Sequence, residues 1–151
     1  MTRSNEVILE KDFYTNLKAE IDTKHIAHAV EMVAALPDID QQLEVLAHLG
    51  NELISTRDSA RSRLLGHALD NLLALAHASN RVQVRVRLGA LMRSLERARV
   101  YAYSLASVMT RDTDRAAVIN KVIINCLDTL AAKYKRLAAF PGWEIETPHD
   151  E

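Results

Sequence analysis

Histidines with carboxylates three or four residues away occur at three places in this chain, as His25-x-x-His28-x-x-Glu31, His48-x-x-x-Glu52 and His67-x-x-Asp70. On a helix this spacing stacks ligands on one face, and in metal-binding helical bundles that face points inward. At 100° per residue, however, both His28 and His67 lie about 200° from the neighbouring apolar residues of their own helices. We therefore interpret these histidines as solvated surface side chains, and the sequence predicts no metal site and no cofactor.

Residues that could support catalysis show no recognisable arrangement. The serines lack a nucleophile-elbow motif, the four glycines are isolated rather than grouped in a phosphate loop, and Cys126 lies in the apolar run "VIINCLDTLAA". Arg61 and His67 resemble the Arg-x(4–6)-His spacing of some all-helical ribonucleases, but a chain with thirteen arginines and six histidines contains such spacings readily. The sequence predicts no catalytic residues and favours a protein that is not an enzyme.

Arginines are concentrated in the middle of the chain. Residues 1–56 carry a net charge of −6 and residues 57–115 carry +6, although the whole chain is at −1. The stretch "RVQVRVRLGALMRSLERAR" supplies the candidate binding residues, which are Arg81, Arg85, Arg87, Arg93, Arg97 and Arg99. Clustered arginines are typical of phosphate contacts in nucleic-acid binders.

Three features weaken the nucleic-acid hypothesis. Glu96 interrupts the basic stretch, the nearby aromatic residues are only Tyr101 and Tyr103, and the sequence pI is about 6.6. The other hypothesis pairs these arginines with carboxylates of the first three predicted helices, within one chain or across a dimer. The acidic candidates are Glu31, Asp38, Asp40, Glu44 and Glu52. We favour carboxylates as the partners and keep phosphates as the alternative.

The arginine stretch begins with alternating valines that would fit a strand. A helical interpretation accounts for more of it, because apolar residues recur at alternating spacings of four and three. This heptad-like seam comprises Val84, Leu88, Leu91, Leu95, Ala98, Ala102, Leu105 and Met109. The pattern predicts one long helix over residues 81–109, with Arg93 and Arg97 directed outward and Arg85, Arg87 and Arg99 flanking the seam.

Strong helix formers and helical apolar periodicity extend through the rest of the chain, which has only four Gly and three Pro. Thr23, Asp38 or Asp40, and the segment "TRDTD" are predicted helix caps, and Ser79-Asn80 is the predicted break before the long helix. The fold class is therefore all-α, a bundle of five or six helices around a long central helix. Residues 1–142 form the predicted single domain, followed by a tail at 143–151.

The tail "WEIETPHDE" contains Trp143, the only tryptophan. Trp143 either covers the end of the bundle or belongs to a hydrophobic, acidic peptide that docks in a partner's groove.

A helix of about 29 residues spans roughly 43 Å, more than the predicted fourth helix covers, so part of the seam is expected to need a second copy of the chain. The sequence contains no apolar run of about 20 residues. We expect a cytoplasmic homodimer without membrane contact. Its predicted function is that of a non-catalytic adaptor or assembly subunit that binds a protein partner through the arginines.

Overall fold

Six α-helices form the fold, as seen in a computed structural model that describes residues 2–81, 84–109 and 114–139. Side chains are described for residues 11–77, 89–109, 114–136 and 139. In chain order the helices are α1 (Thr2–Asp22), α2 (Ile26–Ala34), α3 (Ile39–Thr56), α4 (Ala60–Arg81), α5 (Val84–Ser107) and α6 (Arg115–Ala138). The described residues contain no strand. The prediction of an all-α bundle is confirmed.

The predicted apolar stripes form the core. In α5 the seam residues Leu91, Leu95, Ala98, Ala102 and Leu105 are all buried, and Met109 packs partly against them. The side chains of the seam residues Val84 and Leu88 lie outside the described set. The apolar stripes of α3, α4 and α6 are buried as well, apart from Ile39, which is partly buried, and Leu137, whose side chain is not described. Fully burying one such leucine contributes about 1.5–3 kcal/mol. The core therefore depends on the helical register that the sequence indicates.

The bounds predicted for the central helix are wrong. Helix α4 continues through Ser79-Asn80 to Arg81, and α5 begins only at Val84. Serine and asparagine cost less than about 0.7 kcal/mol each in a helix interior, so these two residues do not by themselves stop a helix. Arg81 is consequently the last residue of α4 rather than the first of α5.

The observed helix lengths also contradict the length mismatch from which we expected a second copy of the chain. Helices α4 and α5 have 22 and 24 residues. Helix α5 packs extensively against both α4 and α6. The described seam is thus covered within one chain, and the premise of an uncovered seam is wrong. Self-association itself stays a prediction.

The start of α2 differs from its prediction because the turn after α1 is tighter than expected. His25, not Thr23, is the N-cap of α2, while the Thr23 hydroxyl donates to the Ala19 carbonyl at 2.9 Å. Lys24 adopts a left-handed φ of 63°, with its N–H bonded to the Ile21 carbonyl and that of His25 to the Glu20 carbonyl. This pattern ends α1 as a Schellman motif does. Asp38 is the N-cap of α3, as predicted, but its side chain makes no capping hydrogen bond.

Two glycines lie where α3 and α4 approach each other most closely. A Cβ atom added to Gly50 would lie 2.8 Å from Leu69 Cδ1 and 3.5 Å from Gly66 Cα. One added to Gly66 would lie 2.5 Å from Ile54 Cδ1. This contact determines how α4 is placed, and therefore which of its residues lie beside α5.

We expect Gly66→Val to lower the free energy of unfolding by about 1–3 kcal/mol, because the branched side chain overpacks the contact with Ile54. Ala74→Val, at an exposed position of the same helix, should change stability by no more than about 0.5 kcal/mol. Urea denaturation of both variants checks this. Equal stability of the two variants would contradict a close approach at Gly66.

Candidate functional site

The predicted arginine set divides into groups with different surroundings. The side chains of Arg81, Arg85 and Arg87 lie outside the described set. Arg99 is half-buried, whereas Arg93 and Arg97 are exposed, as the seam register predicts. The three described arginines therefore have to be considered separately.

Arg99 is part of a polar network that links α5 to α6. Its Nε donates to Asp128 Oδ1 at 2.9 Å and its Nη1 donates to Glu96 Oε1 at 2.7 Å. The other oxygen of Asp128 accepts the Tyr103 hydroxyl proton at 2.6 Å. The hydrogen bonds that Arg99 and Tyr103 donate to Asp128 raise the pKa of both side chains. Arg99 thus has carboxylate partners, and its first role is to fix the register of two helices.

The carboxylates around Arg99 are not those predicted for it. They come from α5 itself and from α6, because the helices that pack on α5 are α4 and α6 rather than the acidic first three. Contact between the acidic and basic parts of the chain is made by Arg115 instead, whose Nη2 donates to Glu52 Oε1 at 2.9 Å and whose Nη1 contacts Asp22. This pairing anchors the start of α6 and does not involve the α5 arginines for which carboxylate partners were predicted.

Arg61 also has a structural role. Its guanidinium donates to the hydroxyl of Ser104 and, at 3.4 Å, to the Ser104 carbonyl. That carbonyl is one of the last four of α5, which lack partners within the helix, and a cation is favourable there. This contact between the start of α4 and the end of α5 shows that the two helices run antiparallel. Arg61 is also the arginine of the Arg-x(4–6)-His spacing noted in the sequence, and this contact engages its guanidinium in a structural role.

Arg93 and Arg97 differ from these arginines, because neither forms an ion pair or a hydrogen bond with any described residue. They lie one turn apart on α5, and Val100 follows at the next helical position on the same face. Val100 is 54% exposed, which is high for a large apolar side chain. Two unpaired cations and an apolar side chain therefore share one solvent-facing stripe.

Helix α4 extends this stripe with a second exposed apolar residue. Leu64, which is 47% exposed, lies three residues after Arg61 on the same side of α4. Because antiparallel helices advance by the same 1.5 Å per residue, Leu64 is level with residues 100–101 of α5. We call the set Leu64, Arg93, Arg97 and Val100 the α4–α5 surface. Leu64 could not be identified from the sequence, because a single exposed leucine becomes informative only when the helix packed beside it is known.

The predicted histidine and carboxylate sets lie on the surface. His25, His28 and His48 have side-chain exposures of 65%, 59% and 48%, and His67 is exposed. Glu20, which the spacing did not indicate, lies 3.0 Å by its Oε1 from the Nδ1 atoms of both His25 and His28. One carboxylate oxygen therefore occupies the point on which the two rings converge. Among the described residues, no group of three or more His, Cys, Asp or Glu is arranged to hold a metal ion.

The Glu20–His28 pair responds to pH. The hydrogen bond that His28 donates to Glu20 raises the pKa of His28 above its ordinary 6.5, and the hydrogen bonds from His28 and His25 lower the pKa of Glu20 below 4.5. The His28 contribution to stability is complete below pH 6.5 and is lost as the pH rises through the folded-state value. The Glu20 contribution is complete above pH 4.5 and is lost as the pH falls through its own. The pair is strongest between these two limits.

Cys126 is a core residue, as predicted. It is 4% exposed, and burial raises the pKa of its thiol to about 12. Such a thiol remains protonated and unreactive at neutral pH.

Comparisons with protein-family models, with curated proteins and with solved structures gave no match to this chain. None of the described helices is long and apolar enough to span a membrane. Trp143 lies outside the described residues.

The difference between Arg99 and Arg97 is testable by substitution. We expect Arg99→Met to lower the free energy of unfolding by about 0.5–1 kcal/mol more than Arg97→Met, because only Arg99 loses carboxylate partners while both variants keep an apolar stem. Urea denaturation at low ionic strength measures both. Equal losses would mean that Arg97 is paired as well.

For the Glu20–His28 pair we expect the unfolding free energy of the wild type to fall, as the pH rises above 6.5, by more than that of His28→Gln. The variant lacks the proton that leaves the pair in this range. His67→Gln is the matched control, because His67 is exposed and contacts no described carboxylate. A pH profile of His28→Gln that coincides with those of the wild type and the control would show that the pair does not contribute.

Proposed function

We propose that this protein is a non-catalytic helical interaction protein that binds an acidic segment of a protein partner on the α4–α5 surface. The observation that carries the proposal is the pair of exposed arginines, Arg93 and Arg97, without partners among the described residues. Arg61, Arg99 and Arg115 all have partners. Arg93 and Arg97, in contrast, lie on one stripe of α5 without such partners in the described part of the chain. Their charges are therefore available to a binding partner.

The apolar residues beside the arginines favour protein over nucleic acid. Phosphate contacts require cations and hydrogen-bond donors, whereas exposed aliphatic side chains such as Leu64 and Val100 gain free energy by packing against apolar groups of a partner. The ligand with both matching chemistries is a peptide that carries carboxylates and apolar side chains.

Nucleic-acid binding through the same arginines is the second candidate function. It is supported by the other arginines that the sequence predicts as phosphate contacts, Arg81, Arg85 and Arg87, whose side chains lie outside the described set. In that case affinity would fall steeply with salt, because each phosphate contact releases a counterion.

Fluorescence anisotropy with three labelled probes separates the two candidates. The probes are a peptide with glutamates and leucines at helical spacing, a random-sequence DNA duplex and a single-stranded RNA. We expect saturable binding of the peptide, weakened about tenfold, or about 1.4 kcal/mol, in Arg93→Glu/Arg97→Glu. The control Lys11→Glu/Lys18→Glu makes the same change in net charge at exposed positions of α1 and should bind like the wild type.

Two outcomes would overturn the proposal. One is binding of the duplex or the RNA, but not the peptide, with a steep loss of affinity between about 50 and 200 mM salt. The other is peptide binding that the α5 and α1 variants lose equally, because binding would then depend on net charge and not on the α4–α5 surface.

A further inference from the structure

The segment that follows α6 has the chemistry that the α4–α5 surface requires. Residues 143–151 contain four carboxylates, at Glu144, Glu146, Asp150 and Glu151, and no Lys or Arg. They also include Trp143 and Ile145. We propose that this segment docks on the α4–α5 surface of its own chain and competes there with the acidic partner. This inference concerns regulation of the proposed binding site and so rests on the proposed function.

The packing of α6 places the start of this segment close to the arginines. Helices α5 and α6 run antiparallel, because Arg99 contacts Asp128 while Ala102 accepts a hydrogen bond from Asn120 at 3.0 Å. Helix α6 ends at Ala138, which is level with residue 89 of α5 by the Arg99–Asp128 contact and with residue 84 by the Ala102–Asn120 contact. Arg93 is therefore about 6–14 Å further along the α5 axis and Arg97 about 12–20 Å further, at 1.5 Å per residue.

The chain after α6 is long enough to reach both arginines. A residue of extended chain spans about 3.3 Å, so Glu144 can lie up to roughly 17 Å from Ala139 and Glu146 up to roughly 23 Å. Arg97 lies about 200° around α5 from Arg99, so the segment must pass around the helix, which adds roughly 20 Å. The paths to Arg93 and Arg97 are then about 21–24 and 23–28 Å, of which the glutamate and arginine side chains together span about 10 Å. Pro141 and Gly142 oppose continuation of the helix and so favour a change of chain direction before the acidic residues.

The spacing of the charges also agrees. In an extended segment Glu144 and Glu146 are about 6.6 Å apart, and Arg93 and Arg97 are separated by about 6 Å along the helix. Glu144 therefore pairs with Arg93 and Glu146 with Arg97, in the order in which the chain meets them. Trp143 and Ile145 adjoin these carboxylates in the sequence, so docking of the segment brings both apolar side chains to the surface of the helices.

Tryptophan fluorescence of the full chain tests the docking directly, because Trp143 is the only tryptophan. We expect blue-shifted emission in the wild type and a red shift toward the value of a solvent-exposed indole in Arg93→Glu/Arg97→Glu and in high salt. Lys11→Glu/Lys18→Glu should leave the emission unchanged. Combining Arg93→Glu/Arg97→Glu with Glu144→Arg/Glu146→Arg exchanges the charges and should restore the blue-shifted emission.

Far-UV circular dichroism establishes that each variant is folded. If Arg93→Glu/Arg97→Glu does not fold, Arg93→Gln/Arg97→Gln, which removes the two charges without reversing them, is used in its place. Solvent-exposed emission in the wild type would overturn the proposal. So would blue-shifted emission that the arginine variants do not change, since Trp143 would then cover the end of the bundle. Emission that depends on protein concentration would assign the segment to a second copy and overturn docking within one chain.

Affinity for the acidic peptide separates this inference from the proposed function. If the segment occupies the surface in about nine of ten molecules, Glu144→Gln/Glu146→Gln should bind the peptide about tenfold more tightly than the wild type. If the peptide binds through the arginines and these substitutions leave its affinity unchanged, docking of the segment is overturned while the proposed function stands. Absence of peptide binding in both proteins, with the Trp143 results as expected, would overturn the proposed function and keep the docked segment.

Discussion

Burial of the apolar seam of α5 between α4 and α6 is the constraint on which the rest of the structure depends. Leu91, Leu95, Ala98, Ala102 and Leu105 are all at most 3% exposed, and together they fix the rotation of α5 about its axis. Because a helix can bury only one stripe, the opposite stripe must face solvent. The seam thereby decides that Arg93, Arg97 and Val100 are available to a partner.

The polar contacts reinforce this arrangement from both sides of α5. Arg61 of α4 holds the end of α5 through Ser104, and Asp128 of α6 holds Arg99 and Tyr103. Arg61 and Arg99 are therefore engaged in contacts between helices, although the arginine content of the sequence alone would assign them to a binding face. The remaining described arginines of α5, Arg93 and Arg97, border exposed aliphatic side chains, and this smaller surface is the one on which we propose that an acidic, partly apolar ligand binds.

The sequence was sufficient to predict the helices and the seam, because a spacing of four and three residues sustained over several repeats is specific to a buried helical stripe. It was not sufficient for the end of α4, since Ser79 and Asn80 carry only a small helix penalty that packing overrides. The partners of Arg99 and of His28 were missed for another reason. Asp128 lies 29 residues from Arg99 and Glu20 lies across a turn from His28, so both contacts depend on how helices pack. Gly50 and Gly66 likewise appear isolated until α3 and α4 cross.

The central claim is that, among the described arginines of α5, Arg99 has a structural role while Arg93 and Arg97 bind the acidic partner. Nuclear magnetic resonance of the arginine Nε–Hε groups during titration with the acidic peptide tests it most directly. The account predicts that the resonances of Arg93 and Arg97 shift and saturate together, while that of Arg99 stays in place. A shift of Arg99 equal to theirs, or shifts confined to arginines outside α5, would contradict it.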